Sequence, residues 1–207
     1  MIYEYPDHNE PIKQGDIFYP LPLLILDLNK LILLSEEKFE QTIWKIVKND
    51  RELVLTVSAK STYGIVASQD CDIIRAPILS LFEIASFKDV TGLESPKNPE
   101  KWVSLITKRA RLNARWFYLP DDGKIGFKDR MAINFQNVFQ ISKENLEYYS
   151  KELRIGRLNK IALEHYRESI AHYFRRYPYD EWYPLKKDEF EVYNKDKGPV
   201  KPFEWQK

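Results

Sequence analysis

Residues 69 to 75, Gln-Asp-Cys-Asp-Ile-Ile-Arg, place an amide, two carboxylates, the only thiol of the chain and a guanidinium within seven positions. They follow the apolar run that begins at Tyr63. Side chains of these types can hold a ribose phosphate: an acid such as Asp72 orients a 2′-hydroxyl, and Arg75 meets the charge that develops on phosphorus. Such a cleavage needs no metal. The plainer reading makes Cys71 a small buried filler and lets Asp70 and Asp72 cap the turn after a strand. Two neighbouring carboxylates oppose a thiolate, so Cys71 is not read as a nucleophile.

A second group with chemical potential is basic. Lys108, Arg109, Arg111 and Arg115 precede Trp116, Phe117 and Tyr118, and charge interleaved with rings can track single-stranded RNA by ion pairing and stacking. The structural alternative is a helix with its charges in water and the following aromatics inside a sheet. His165 and His172 lie two helical turns apart, about 10 Å by helical rise, too far to share a proton or a metal. They are expected to be partly buried beside Tyr166, Tyr173 and Phe174, whereas His8, in an irregular arm, should be solvated. The aromatic segment from Tyr179 to Lys207 must cover its own barrel or dock elsewhere. Phe203 and Trp205 are its candidate partner-binding anchors.

Composition limits what these groups can serve. Lys and Arg total 32 against 31 Asp and Glu, a net charge of +1, so the whole-molecule field behind promiscuous phosphate binding is missing. With one cysteine and three scattered histidines, no internal disulfide and no metal-ligand spacing is expected, nor any other cofactor. The first residues lack a basic-then-apolar leader pattern, and the apolar stretch from Leu21 to Leu34 is broken by Pro22, Asp27, Asn29 and Lys30. A cytoplasmic protein that does not enter a membrane is expected.

The elements that must position the groups are mostly short strands. "DIFYPLPLLILDL" reads as one or two strands bent near Pro20 and Pro22. "QTIWKIVKND" and "RELVLTVSAK" alternate on either side of Asn49-Asp50, the pattern of a hairpin. "YGIVASQ" is apolar enough for a central strand, and "ILSLFEIASF" supplies another. Asn98, Pro99 and Glu100 form a helix start, with Trp102, Leu105, Ile106 and Ala110 on one face. "RWFYLPDDGKIGF" predicts strand, turn and strand, and "RMAINFQNVFQI" a further strand. Ser142 should cap a short helix, and a last helix from about residue 157 to 175 should pack through Leu158, Ile161, Ile170 and Phe174. Pro178 should stop it. The expected fold is α+β: a small, strongly bent β-barrel with an inserted helix over residues 1–153, and residues 154–207 as a C-terminal helix and aromatic tail packed on it.

"IKQGDIFYPL" followed by "GIVASQDCDIIRAPILSLFEIAS" resembles the PemK/MazF-like toxin family, SH3-like barrels of type II toxin–antitoxin systems, over the first half of the chain. The resemblance implies that Gly15 and Asp16 form the first turn, the carboxylate accepting backbone N–H bonds. It also implies a catalytic arginine just before the apolar strand, where this chain has Ser61-Thr62-Tyr63-Gly64, and a hydroxyl for the scissile phosphate, here Ser86. Arg75 is the nearest replacement for the missing guanidinium. Two functions follow as expectations. One is a non-catalytic interaction module, a small subunit of a bacterial toxin–antitoxin or defence complex with a protein partner or a second copy. The other is a metal-independent endoribonuclease acting on single-stranded RNA through Asp72, Arg75 and Ser86. The absent arginine and the neutral charge favour the first.

Overall fold

A computed structural model describes residues 2–35, 38–48, 54–93, 97–110 and 115–175, with the side chains of residues 35 and 108–110 excepted. The chain runs β1 (Tyr3–Glu4), β2 (Asp16–Ile25), β3 (Leu31–Ser35), β4 (Lys38–Thr42), α1 (Trp44–Val47), β5 (Leu55–Thr56), β6 (Ser58–Val66) and α2 (Asp70–Arg75). It continues through β7 (Ile78–Ser86), α3 (Phe87–Thr91), α4 (Pro99–Ala110), β8 (Trp116–Leu119), a single 3-10 turn, β9 (Met131–Ser142), α5 (Lys143–Tyr148), α6 (Ser150–Leu153), β10 (Arg154–Leu158) and α7 (Lys160–Arg175). Helices and strands are mixed, and the main sheet is curled strongly into a half-barrel.

That sheet has the order β1-β10-β2-β6-β7-β9-β8, and its neighbours pair antiparallel throughout. Strand alternation separates its apolar side chains into two cores. Ile17, Ile65 and Phe82 point to one face and join Ile133, Phe135 and Tyr166, while Phe18, Val66 and Leu81 point to the other and join Leu79, Ile73 and Leu146. Because both faces are covered at its Tyr63–Val66 end, that end of β6 reads as an apolar run, which is why its central place was legible. Gly64 lies in β6 where a Cβ would come within 2.8 Å of both Leu21 and Phe139. The strands and side chains close in because no side chain is there.

Several local expectations hold. The bend in β2 is a register shift between Phe18 and Leu21 beside a cis peptide at Tyr19–Pro20. Asn98 accepts hydrogen bonds from the N–H groups of Glu100 and Lys101, Trp102 packs with Phe87 and Trp116, and Ser142 accepts from the Asn145 N–H. Others are corrected. The hairpin expected around Asn49-Asp50, residues outside the described ones, is replaced by a three-stranded sheet of order β4-β3-β5, with Trp44–Val47 helical between strands. The last helix starts at Lys160 rather than about residue 157: residues 154–158 form β10 between β1 and β2, so Leu158, expected on the helix, is a strand residue. α7 packs through Ala162, Leu163, Tyr166, Ile170 and Tyr173, whereas Ile161 and Phe174 face outward, 70% and 65% exposed. A period of 3.6 finds a stripe but leaves its phase open by a residue when apolar side chains stand on both sides. His165 and His172 are exposed, contrary to the expected partial burial, and His8 is exposed as expected.

The turn before β2 holds the most consequential group of the fold. Gly15 has a φ of 86°, in the left-handed region that glycine enters without penalty. Its N–H donates to the Val66 carbonyl and its carbonyl accepts from the Leu158 N–H. Asp16 follows, fully buried. Its carboxylate accepts from the Lys13 N–H at 3.1 Å, as the resemblance implied, and also from the guanidinium groups of Arg154 and Arg157, which sequence reading did not pair with it. Arg154 also donates to the carbonyls of Asp7, His8, Glu10 and Pro11, and Arg157 to the Glu10 carboxylate at 2.9 Å. Burial works against the charge of Arg157, but the hydrogen bonds and charges of Asp16 and Glu10 outweigh it and hold its pKa above the ordinary value. The Glu10 carboxyl lies below its ordinary range because of the Arg157 hydrogen bond, with help from the Asp7 N–H.

Two predictions follow from this cluster. Asp16→Ala strands two buried guanidinium groups and is expected to lower unfolding stability by about 3–5 kcal/mol, read from urea midpoints. An unchanged midpoint would show that the cluster is dispensable. Glu10, with its folded pKa depressed, contributes stability that is complete above its unfolded value and is lost as pH falls through the folded one. Urea midpoints should therefore drop between about pH 5 and pH 3, with a shallower slope in Glu10→Gln. Equal slopes would mean that Glu10 titrates alike folded and unfolded.

Candidate functional site

The polar cluster that ends β6 becomes the start of α2, and α2 faces α7 across an open cleft of about 580 Å³. Gln14, Ala67, Gln69, Asp70 and Cys71 form one side, and Arg167, Ile170, Ala171 and Phe174 the other. The helical residues recur at 167, 170, 171 and 174, the spacing that puts them on one face. Gln14 is buried and joins the sides. Its N–H donates to Asp70 Oδ1 at 2.8 Å, its amide N–H to the Ala67 carbonyl at 2.9 Å, and its amide oxygen accepts from Arg167 Nε at 2.7 Å. Arg167 closes the ring with a 2.7 Å bond from Nη2 to Asp70 Oδ2. Both partners of this ion pair are nearly half exposed, so it adds about 0–1 kcal/mol to stability and is better placed to orient a surface than to hold the fold.

Each residue singled out in the sequence can be located. Asp72 and Arg75 are exposed on α2, in its first and last turns, where each complements the helix dipole. Ser86 caps α3, accepting from the Asp89 N–H at 3.1 Å. Arg75 precedes β7 and Ser86 ends it, so the length of this nine-residue strand, roughly 25 Å, separates them. The three residues of the ribonuclease expectation are thus not brought to one place. Ser86 instead borders a different cleft of about 520 Å³ with Lys88, Asp121, Lys128, Asp129 and Arg130, a surface of mixed charge. Arg130 stacks over the Trp102 ring at 4.0 Å.

Cys71 is exposed rather than a buried filler, with its sulfur 3.9 Å from Gln69 Oε1 and from Asp72 Oδ1. Asp70 does not cap its own turn but bonds Gln14 and Arg167. The physical reason is that the chain turns into a helix straight after β6, which swings position 71 outward. Of the basic run, Arg115 is half-buried, with Nε enclosed and no hydrogen-bond partner among the described residues. Arg111 and the side chains of Lys108 and Arg109 lie outside the described residues, as do Pro178, Phe203 and Trp205. The aromatic side of that expectation is met: Trp116 and Phe117 pack inside, against Phe87 and Tyr166.

Sequence reading missed Gln14 and Arg167. Gln14 lies 56 residues from Asp70 and Arg167 lies 97, and no local pattern joins them. One signal existed for Arg167: it stands in line with the apolar positions 170, 171 and 174, where a charge needs a partner on the facing element. Among the described residues no three His, Cys, Asp or Glu side chains gather as metal ligands, and no helix is long and apolar enough to cross a membrane. No protein-family model matches the sequence, and no curated protein matches it.

The exposed thiol gives a direct check. Cys71→Ser is expected to change stability by less than about 0.5 kcal/mol, and a disulfide reagent should label native and unfolded protein at similar rates. Slow labelling of the native protein, with a marked loss of stability in the variant, would return Cys71 to the core.

Proposed function

We propose that this chain is a non-catalytic interaction module, a small subunit of a bacterial toxin–antitoxin or defence complex built on an SH3-like barrel. The α2–α7 cleft is its recognition surface, and the occupant is a segment of a protein partner. One observation carries the reading: Asp70 and Arg167 bond to each other and to Gln14, so the site is a neutral, hydrogen-bonded frame beside an apolar wall. A reaction centre for phosphoryl transfer needs unneutralised groups aimed at the developing charge. A recognition cleft needs an apolar wall and a few fixed polar groups. Ile170 and Phe174 supply the wall; Gln69 and the outer edge of Arg167 supply the polar groups. The curled half-barrel and the Gly15-Asp16 turn agree with the resemblance to PemK/MazF-like barrels. The separation of Arg75 from Ser86 weighs against that family's activity.

The test pairs capture with cleavage. Wild-type protein immobilised in a bacterial lysate is expected to retain a specific protein, and Arg167→Glu and Phe174→Ser to retain at least about 10-fold less of it at unchanged thermal midpoints. The same preparations should leave single-stranded RNA intact. RNA cleavage that disappears in Arg75→Ala would overturn the reading in favour of a metal-independent endoribonuclease.

A further inference from the structure

The chain leaves its last described helix at the mouth of the α2–α7 cleft. Arg167, Ile170, Ala171 and Phe174 form one wall of that cleft, and α7 ends at Arg175, one residue beyond the last of them. Residues 176–207, outside the described ones, all follow from this point. Pro178 cannot donate to a helical turn, so the sequence breaks the helix just past the cleft. The wall is open, with Phe174 65% exposed. It also carries an unused donor. Arg167 gives Nε to Gln14 and Nη2 to Asp70, and its Nη1 makes no hydrogen bond among the described residues. One guanidinium can serve two carboxylates in this fold, as Arg157 does for Asp16 and Glu10.

We infer that the cleft is filled, in the free protein, by the chain's own segment Tyr179–Tyr183, Tyr-Asp-Glu-Trp-Tyr. The inference rests on the reading of the cleft as a surface for a peptide segment, and names the segment that holds it when no partner is bound. Reach is the first argument. Trp182 stands eight residues past Phe174, and a flexible chain of that length spans roughly 15 Å. The wall from Phe174 back to Arg167 is about 10 Å long by helical rise. A tether this short holds the segment at a millimolar effective concentration, so a weak fit is enough to keep the cleft filled. Chemistry is the second. Tyr179, Trp182 and Tyr183 offer rings to Ile170 and Phe174, and large aromatic side chains bury the most area per residue. Asp180 and Glu181 offer a carboxylate to Arg167 Nη1, a charge-assisted bond. Asp70, the one acid in the lining, already accepts from the Gln14 and Arg167 N–H groups. From Tyr177 to Leu185 the sequence has two acids and no basic side chain. The other acid-rich stretch, Asp188 to Tyr193, follows Lys186 and Lys187 on a longer tether, where effective concentration is lower. A segment lying along α7 leaves Cys71, on the α2 side, open to a small reagent.

Limited chymotrypsin digestion of the full-length protein is the experiment. The initial rate of cutting after Trp182 is divided by that of a free peptide of residues 176–187 carrying the same residues, since cleavage tracks the population of the open form. Wild-type protein should be cut at least about 10-fold more slowly than its peptide, whereas the bond after Tyr193 should be cut freely. Arg167→Glu and Phe174→Ser should each bring the Trp182 rate to within about 2-fold of the peptide's. Asp180→Lys with Glu181→Lys should do the same without touching the cleft. Combining that pair with Arg167→Glu should restore slow cutting, because the charges again match. Equal rates for wild type and peptide overturn the inference. So does protection that survives in Arg167→Glu and Phe174→Ser, which puts the segment elsewhere, and protection lost on dilution from about 50 to 1 µM, which makes a second copy its source. No partner enters this assay. If a lysate yields none while Trp182 is protected, the partner reading fails and the tail inference stands; if a partner is retained while Trp182 is cut freely, the reverse holds.

Discussion

The burial of one carboxylate, Asp16, is the constraint on which the rest of the architecture depends. A lone ionised acid in the core would be too costly to keep, and here it is met by two guanidinium groups. That leaves a surplus positive charge, which Glu10 balances from the irregular arm, while the carbonyls of Asp7, His8, Glu10 and Pro11 accept from the terminal nitrogens of Arg154 and Arg157, and Arg154 Nε stays enclosed without a partner among the described residues. The arm is therefore held by ionic donors, in keeping with a composition that favours turns over regular pairing. Arg154 and Arg157 are three apart, and in a regular strand they would point to opposite faces. The register shift between Arg154 and Gly156 turns the chain so that both reach Asp16. Gly156 is suited to that place, since a Cβ there would lie 2.8 Å from Ile125.

The cleft follows from the same point. Gly15 and Asp16 lock the end of β6 and the end of β10 onto the start of β2, which brings Gln14 next to Ala67 and sets α7 opposite α2. Tyr166, fully buried one residue before Arg167, holds the helix against the sheet through Phe117 and Phe135. Its hydroxyl reaches the Val66 carbonyl at 3.4 Å, and burial raises its pKa well above the ordinary value. A rigid core residue thus fixes the direction in which Arg167 leaves the helix. The polar frame is precise because apolar packing around it is tight, not because its own ion pair is strong.

Legibility in the sequence follows the range of the interactions. The Tyr63–Val66 end of β6 and the middle of β7 were readable because stretches covered on both faces are largely apolar, and the starts of α4 and α5 because a cap is satisfied within three residues. The arm between β2 and β6 was misread because "QTIWKIV" satisfies alternation and a helical turn equally well over so few residues. β10 was hidden for a different reason: in "RIGRL" two arginines occupy the positions where a buried strand should be apolar, and their partner is nearly 140 residues away. The candidate site was legible by half. Asp70 and Cys71 announced a polar cluster, but the burial of Gln14 and the approach of Arg167 depend on the closure of the whole sheet.

β2 and β6 also explain how two unlike surfaces coexist on a small protein. The pair is long, running from Ile17 opposite Ile65 in the core to Ile25 opposite Ser58 at the far end. At the core end each residue is covered on both faces and the strands are fastened by the Asp16 cluster. Towards the far end Leu24 and Ile25 are exposed and the ladder carries the small sheet outward. Pro20 and Pro22 lie between the two ends, and a residue without an N–H cannot donate to a neighbouring strand there. The small sheet is joined in sequence to the far ends of β2 and β6, whereas the frame of Gln14, Asp70 and Arg167 gathers at the core end of the same pair.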